Sequence, residues 1–231
     1  MRNAYREDLE RITDELVEMT RLAGSAIARA TTALLDADIH LADSVIAADQ
    51  TLDLAREDLD THAIDLLARQ SPVATDLRTV VTAMRMSSDL ERMGDLARHV
   101  AKVARLRYPD SAVPAELRAT IVEMGQVAER IVAKAGSVIA SRDLAEAANL
   151  EHEDDAMDEL HRQLFGHLAD GEWSHGTQTA VDITLIGRYY ERFADHAVSL
   201  ARRVTFLVTG EWDNVVDHEE EEDEAYAAER L

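Results

Sequence analysis

Glu91-Arg92-Met93-Gly94-Asp95 returns as Glu191-Arg192-Phe193-Ala194-Asp195, so glutamate, arginine and aspartate recur at a shift of 100 residues. Thr79, Val81, Ala97 and Ala101 recur at the same shift, as Thr179, Val181, Ala197 and Ala201. The sequence therefore reads as a tandem duplication, and a carboxylate pair that occurs twice needs an explanation that applies twice.

Outward from that repeat, 231 residues with 46% apolar side chains are enough for a large core. Only three prolines and nine glycines interrupt a sequence dominated by Ala, Leu, Arg, Glu and Asp at helical periodicity. The expectation is an all-α fold of two tandem antiparallel three-helix bundles, since the connections between helices are short. Residues 1–107 would form the first bundle, 108–113 a linker and 114–210 the second bundle. The first three helices would run about Tyr5 to Asp36, Asp38 to Gln70 and Pro72 to Arg107; the second three about 114–141, 143–170 and 177–209. Ser71 is expected as an N-cap with Pro72 at the first helical position, Pro114 opens a helix on the same logic, and Asp143-Leu144-Ala145-Glu146 reads as a capping box. Residues 211–231 carry an acidic run and no continuous apolar face, and are expected to be disordered.

A formal charge of −22 excludes nucleic-acid binding that depends on Lys and Arg neutralising phosphates. It also disfavours anionic membranes. The N-terminus has no apolar signal core and no stretch reaches the ~18 uncharged apolar residues of a membrane span, so a cytoplasmic protein without direct membrane insertion is expected. The absence of cysteine excludes disulfides and thiolate metal sites.

Acids four residues apart mean little by themselves in so acidic a chain, where roughly nine such pairs arise by chance on the helical spacing. Their heights are more informative. Asp49 and Asp53 lie 22 and 18 residues before Ser71, and Glu91 and Asp95 lie 20 and 24 after it. In an antiparallel hairpin this sets Asp53 opposite Glu91 and Asp49 opposite Asp95, to within roughly 3 Å along the axis. Asp154 and Asp158 precede Trp173 by 19 and 15 residues, while Glu191 and Asp195 follow it by 18 and 22. Each repeat thus predicts four carboxylates at one level. Grouped at ~6 Å they would repel by roughly 3 kcal/mol per pair at an effective dielectric near 20, so each cluster needs a cation, protons or arginines. Oxygen ligands suit hard cations such as Fe(III), Mn, Mg or Ca. His99 and His161 follow Asp95 and Asp158 by four and three residues and could reach the same helix face; His196 is turned away. The competing reading is two solvated helix faces with intrahelical ion pairs such as Arg85 with Asp89. No glycine-rich anion loop or basic pocket is evident from the sequence.

These residues resemble the PhoU family of bacterial phosphate-transport regulators, whose repeats carry an E(D)-x-x-x-D signature. Asp49/Asp53 and Glu91/Asp95 meet it in the first repeat, Asp154/Asp158 and Glu191/Asp195 in the second. Gln70-Ser71-Pro72-Val73-Ala74-Thr75-Asp76-Leu77-Arg78 is similar to the family's Q-x-P-x-A-x-D-L-R stretch, and the similarity runs from about residue 5 to Gly210. The resemblance implies two three-helix bundles, metal ions (iron or zinc, alternatively manganese or magnesium) at the carboxylate motifs, and no enzymatic activity. It also implies a cytoplasmic adaptor between the ATPase of the phosphate ABC transporter and a sensor histidine kinase, repressing the phosphate-starvation response, with a homodimer as the expected assembly. Ala194 in place of Gly94 and the acidic tail depart from the pattern.

Two other function classes compete. A carboxylate-bridged di-iron oxidase needs Glu-x-x-His ligands from two helices. Neither carboxylate cluster contains one, and the only approach to it is Asp158 with His161. A purely structural helical scaffold would leave both clusters without a ligand.

Overall fold

The computed structural model describes residues 2–169 and 173–211, with side chains from Tyr5 onward. The described residues form six α-helices and no strand: α1 (Arg2–Asp36), α2 (Ile39–Gln70), α3 (Ala74–Arg107), α4 (Arg118–Ser141), α5 (Leu144–Ala169) and α6 (Gly176–Thr209). A 3-10 turn at Ala115–Leu117 leads into α4. The acidic tail expected to be disordered lies outside the described residues, apart from Glu211.

Sequence punctuation explains most boundaries. Asp38 caps α2 by accepting from the Leu41 N–H at 3.0 Å, and Asp143 caps α5 by accepting from Ala145 and Glu146 at 2.8 and 3.2 Å. Two proline expectations fail. Ser71 closes α2 instead of opening α3: its backbone is left-handed (φ 46, ψ 55) and its N–H donates to Leu67 O at 3.1 Å. A residue spent on ending one helix cannot supply the extended N-cap of the next, so Pro72 and Val73 form the turn and α3 starts at Ala74. Pro114 likewise precedes the 3-10 turn, and α4 proper begins four residues later at Arg118.

Helices α1, α2 and α3 pack mutually, as do α4, α5 and α6, and α1 against α4 and α3 against α6 join the two groups. A single apolar core therefore runs through both repeats. In α1 it is fed by Ile12, Leu16, Met19, Ala23, Ile27, Ala30 and Leu34, a stripe at spacings of three and four. The α1–α4 seam is close because Gly125 and Gly136 of α4 lie against threonines of α1. A Cβ at Gly125 would come within 2.6 Å of Thr31 Cγ2, and one at Gly136 within 2.5 Å of Thr20 Oγ1. Thr31 Oγ1 is also 2.6 Å from the hydroxyl of Tyr190, a fully buried α6 residue, which ties the seam to the second repeat. Burial raises the Tyr190 phenol above its ordinary range, so it stays neutral.

Helices α3 and α6 run antiparallel through the middle of the molecule, since the middle of α3 meets the end of α6 and the end of α3 meets its beginning. Arg203 Nε donates to Asp89 Oδ2 at 2.6 Å, with His196 Nδ1 3.4 Å from Asp89 Oδ1. Arg107 grips Asp182 through Nη2–Oδ1 at 2.8 Å and Nε–Oδ2 at 2.5 Å. Both aspartates are buried and both bonds cross between repeats. Burial alone would raise the Asp89 carboxyl, but hydrogen bonds from His196 and Arg203 outweigh it and hold it below its usual value.

Candidate functional site

The first cluster is built by α2 and α3, the second by α5 and α6, each with its acids at the i, i+4 spacing that puts them on one helix face. The two clusters are neutralised in different ways.

In the first, arginines occupy the space between the carboxylates. Arg98 Nη1 lies 2.6 Å from Asp49 Oδ2, and its Nη2 donates to Asp95 Oδ1, so one guanidinium bridges α2 and α3 at the level where Asp49 and Asp95 were expected to face each other. Arg56 Nη1 reaches Glu91 Oε2 at 3.9 Å. Burial raises the Asp49 carboxyl, Arg98 opposes that, and the charges of Asp95 and Asp53 add to it, which places three of the four acids within electrostatic reach. His99 is not drawn into the cluster. It stacks on Tyr189 of α6 with ring centroids 5.2 Å apart, and burial, then Lys102 and Arg98, lower its proton affinity.

In the second cluster two carboxyls are strongly raised. Asp154 is pushed up to about 7 by burial, then by Asp158, Asp195 and Glu191. Glu191 is also pushed up to about 7, by burial and then Asp195, with Arg188 opposing. All four predicted residues therefore sense one another. Arg188, one turn earlier on α6, donates to Glu191 Oε1. The duplication explains the difference: Val198 stands where Arg98 stands one repeat earlier, and His161 occupies the place after Asp158 that Arg56 occupies after Asp53. His161 is half-buried and lies against Phe165 and the bare backbone of Gly187; burial, then the charge of Arg188, lowers its proton affinity, and its Nε2 has no hydrogen-bond partner.

The unsatisfied buried atoms give a chemical test of what each cluster could hold. Around the first they are donors, Arg56 Nε and Arg98 Nε; around the second they are the acceptors Asp154 Oδ1 and Glu191 Oε2, together with His161 Nε2 one turn after Asp158. An orphaned acceptor in a group of repelling anions fits a hard cation, whereas an orphaned guanidinium nitrogen does not. Among the described residues no three His, Asp or Glu side chains converge tightly enough to form a closed coordination shell. Holding an ion at the second cluster therefore requires Asp154, Asp158, Glu191 and Asp195 to draw together. Their mutual repulsion opposes that movement until a cation supplies the opposite charge.

Sequence reasoning missed the contact surface between the clusters. Arg92, Asp95, Leu96 and His99 of α3 and Arg188, Tyr189, Arg192 and His196 of α6 line one cleft of about 250 Å³. The signal was present in the equivalence of Arg92 and Arg192, but the antiparallel crossing of α3 and α6 that unites them is a tertiary fact.

A profile of the PhoU domain matches the chain twice, over residues 16–104 and 121–204. The phosphate-specific transport system accessory protein PhoU homolog 2 of Mycobacterium tuberculosis is 50% identical over 210 residues, covering 91% of this chain and 99% of that protein. Among solved structures, PhoU from Pseudomonas aeruginosa is similar at a TM-score of 0.80 and 27% identity, over 90% of this chain and all of that one. PhoU from Streptococcus pneumoniae has the same fold, with a TM-score of 0.81 at 23% identity over 91% of this chain. Two repeats, six helices and full-length relatives agree: the chain belongs to the PhoU family.

Proposed function

We propose that the protein is a cytoplasmic negative regulator of phosphate transport and of the phosphate-starvation response, working as a non-enzymatic adaptor. Its partners would be the ATPase of a phosphate ABC transporter and a sensor histidine kinase, and its assembly a homodimer. The observation that carries this reading is the 50% identity to an accessory protein of a phosphate-specific transport system, spanning nearly all of both chains. Among the described residues no helix is long and apolar enough to cross a membrane, which suits a protein that docks on membrane-bound partners. Long helices tied together by Arg107–Asp182 and Arg203–Asp89 offer stiff faces for such docking.

The test is alkaline phosphatase activity in a strain of the source organism lacking this gene and any second copy, grown in abundant phosphate. High activity that the restored gene represses is the expected result; normal repression in the deletion strain would refute the regulatory reading.

Within that function, the second cluster is the cation site. Asp154, Asp158, Glu191 and Asp195 would hold iron or zinc, with manganese or magnesium as alternatives, and the bound ion would supply positive charge that fixes α5 against α6. The first cluster, Asp49, Asp53, Glu91 and Asp95, already holds Arg98 between Asp49 and Asp95 and Arg56 against Glu91. Elemental analysis of protein purified without chelator should find metal that is lost in Asp154→Ala/Glu191→Ala and retained in Asp49→Ala/Glu91→Ala. Metal retained in the first variant and lost in the second would reverse the assignment. A di-iron oxidase gains no support, because neither acid cluster carries a Glu-x-x-His pair.

A further inference from the structure

We propose that the cleft between α3 and α6 is a binding site for a small tetrahedral oxyanion such as phosphate, held by Arg92 of the first repeat and Arg192 of the second. The cleft has a volume of about 250 Å³ and is lined by both arginines. They are equivalent positions of the duplication, and both are exposed. The antiparallel crossing turns this sequence symmetry into two guanidinium groups on one cavity. In a chain of net charge −22, so local a concentration of cations has a specific cause in the fold.

The other charges of the cleft are already engaged. Asp95, the one carboxylate lining it, accepts from Arg98, and Arg188 donates to Glu191. His196 faces Asp89 through Nδ1, and His99 and Tyr189 stack on each other as an aromatic wall. Among the described residues Arg92 and Arg192 form no hydrogen bond or ion pair, although Arg192 is near enough to Glu191 to favour its charged form. They are the donors left over. A guanidinium presents a planar fork that matches two phosphate oxygens, and two forks from opposite helices can share one tetrahedral anion. The spacing of Arg188, Arg192 and His196 at successive turns keeps these groups on one face of α6. This site needs no cation in either carboxylate cluster and is independent of the adaptor reading.

The same chemistry would also accept carboxylates of an acidic peptide, and the experiment separates the two. Full-length protein, stripped of metal with chelator, is titrated with inorganic phosphate by calorimetry at low ionic strength. Saturable binding is expected, weakened about tenfold by Arg92→Gln or Arg192→Gln and about a hundredfold by both together. Both arginines are exposed, so helical circular dichroism should not change, and Arg92→Lys/Arg192→Lys should give an intermediate loss. Asp154→Asn, which leaves Arg188 on Glu191, should bind phosphate as the unaltered protein does. Phosphate binding that appears only after metal is restored, or that survives in the double glutamine variant, would overturn the proposal. So would an absence of binding up to about 10 mM phosphate, well above the range of a useful site. A glutamate-rich peptide that binds in the cleft and is not displaced by phosphate would overturn it equally.

Discussion

Replacing Asp154 with asparagine asks whether the second cluster is electrostatically strained when no cation is present. Burial, then Asp158, Asp195 and Glu191, push this carboxyl from 3.8 to about 7. At 1.36 kcal/mol per unit such a rise corresponds to ~4 kcal/mol as an upper bound. The group is partly exposed and titrates together with Glu191, so screening and sharing of the proton reduce the expected effect to ~1–2 kcal/mol. The sign follows from the folded value lying above the unfolded one. The folded state holds the proton more tightly, so its stability is greatest below the unfolded value of 3.8 and declines as pH rises toward about 7. Above that the unaltered protein carries the full repulsion. Asparagine keeps the shape and removes the charge. Urea unfolding of chelator-treated protein should therefore find Asp154→Asn ~1–2 kcal/mol more stable at pH 8, with less than half of that advantage at pH 5 and none near pH 4. Adding the cognate cation should reverse the order at pH 8, because only the intact cluster gains binding free energy. A variant that is no more stable than the parent at pH 8, or whose advantage ignores pH, would refute the account of the site.

Three further outcomes follow from the packing and the ion pairs. Arg98→Val, which copies the second repeat's Val198, strips Asp49 and Asp95 of their bridge; it should cost ~1–3 kcal/mol at pH 7 and make stability newly responsive to added divalent cation, and unchanged urea curves would contradict it. Thr31→Val leaves the buried Tyr190 hydroxyl without its partner and should cost ~1–3 kcal/mol in thermal unfolding. Gly136→Ala forces a Cβ toward Thr20 Oγ1 and should cost ~1–3 kcal/mol, most of it recovered in the Gly136→Ala/Thr20→Ala pair; a loss that the second substitution does not relieve would place the strain elsewhere.

The local and the repetitive were readable in the sequence. Helical periodicity and the 100-residue shift are legible in the residues themselves, and they led to the six helices found among the described residues. Where punctuation has two uses it misled: Ser71-Pro72 suits the end of one helix as well as the start of the next, and only the left-handed backbone of Ser71 decides between them. The arginine bridge was missed for another reason. Arg98 lies one turn beyond Asp95, and only the packing of α2 on α3 shows that its long side chain reaches across to Asp49. Comparison of the repeats could have flagged it, since Arg98 becomes Val198. The cleft was beyond reach, because it depends on how α3 crosses α6. Asp89, read as pairing within its own helix, also receives Arg203 and His196 from α6, partners that depend on the same crossing.

The glycine seam bears on the history of the duplication. Thr20 and Thr31 of the first repeat fill spaces that Gly125 and Gly136 leave in the second, so the two halves fit each other by being unlike. A contact of that kind cannot form between two identical copies, because a copy of the first half offers threonines where glycines are needed. Fusion thus freed each half from self-recognition and let one side of the ancestral interface specialise as knob and the other as socket. The halves are no longer interchangeable parts: a chain built from the first repeat twice, or the second twice, should lose the close α1–α4 approach and unfold at lower temperature than the natural arrangement.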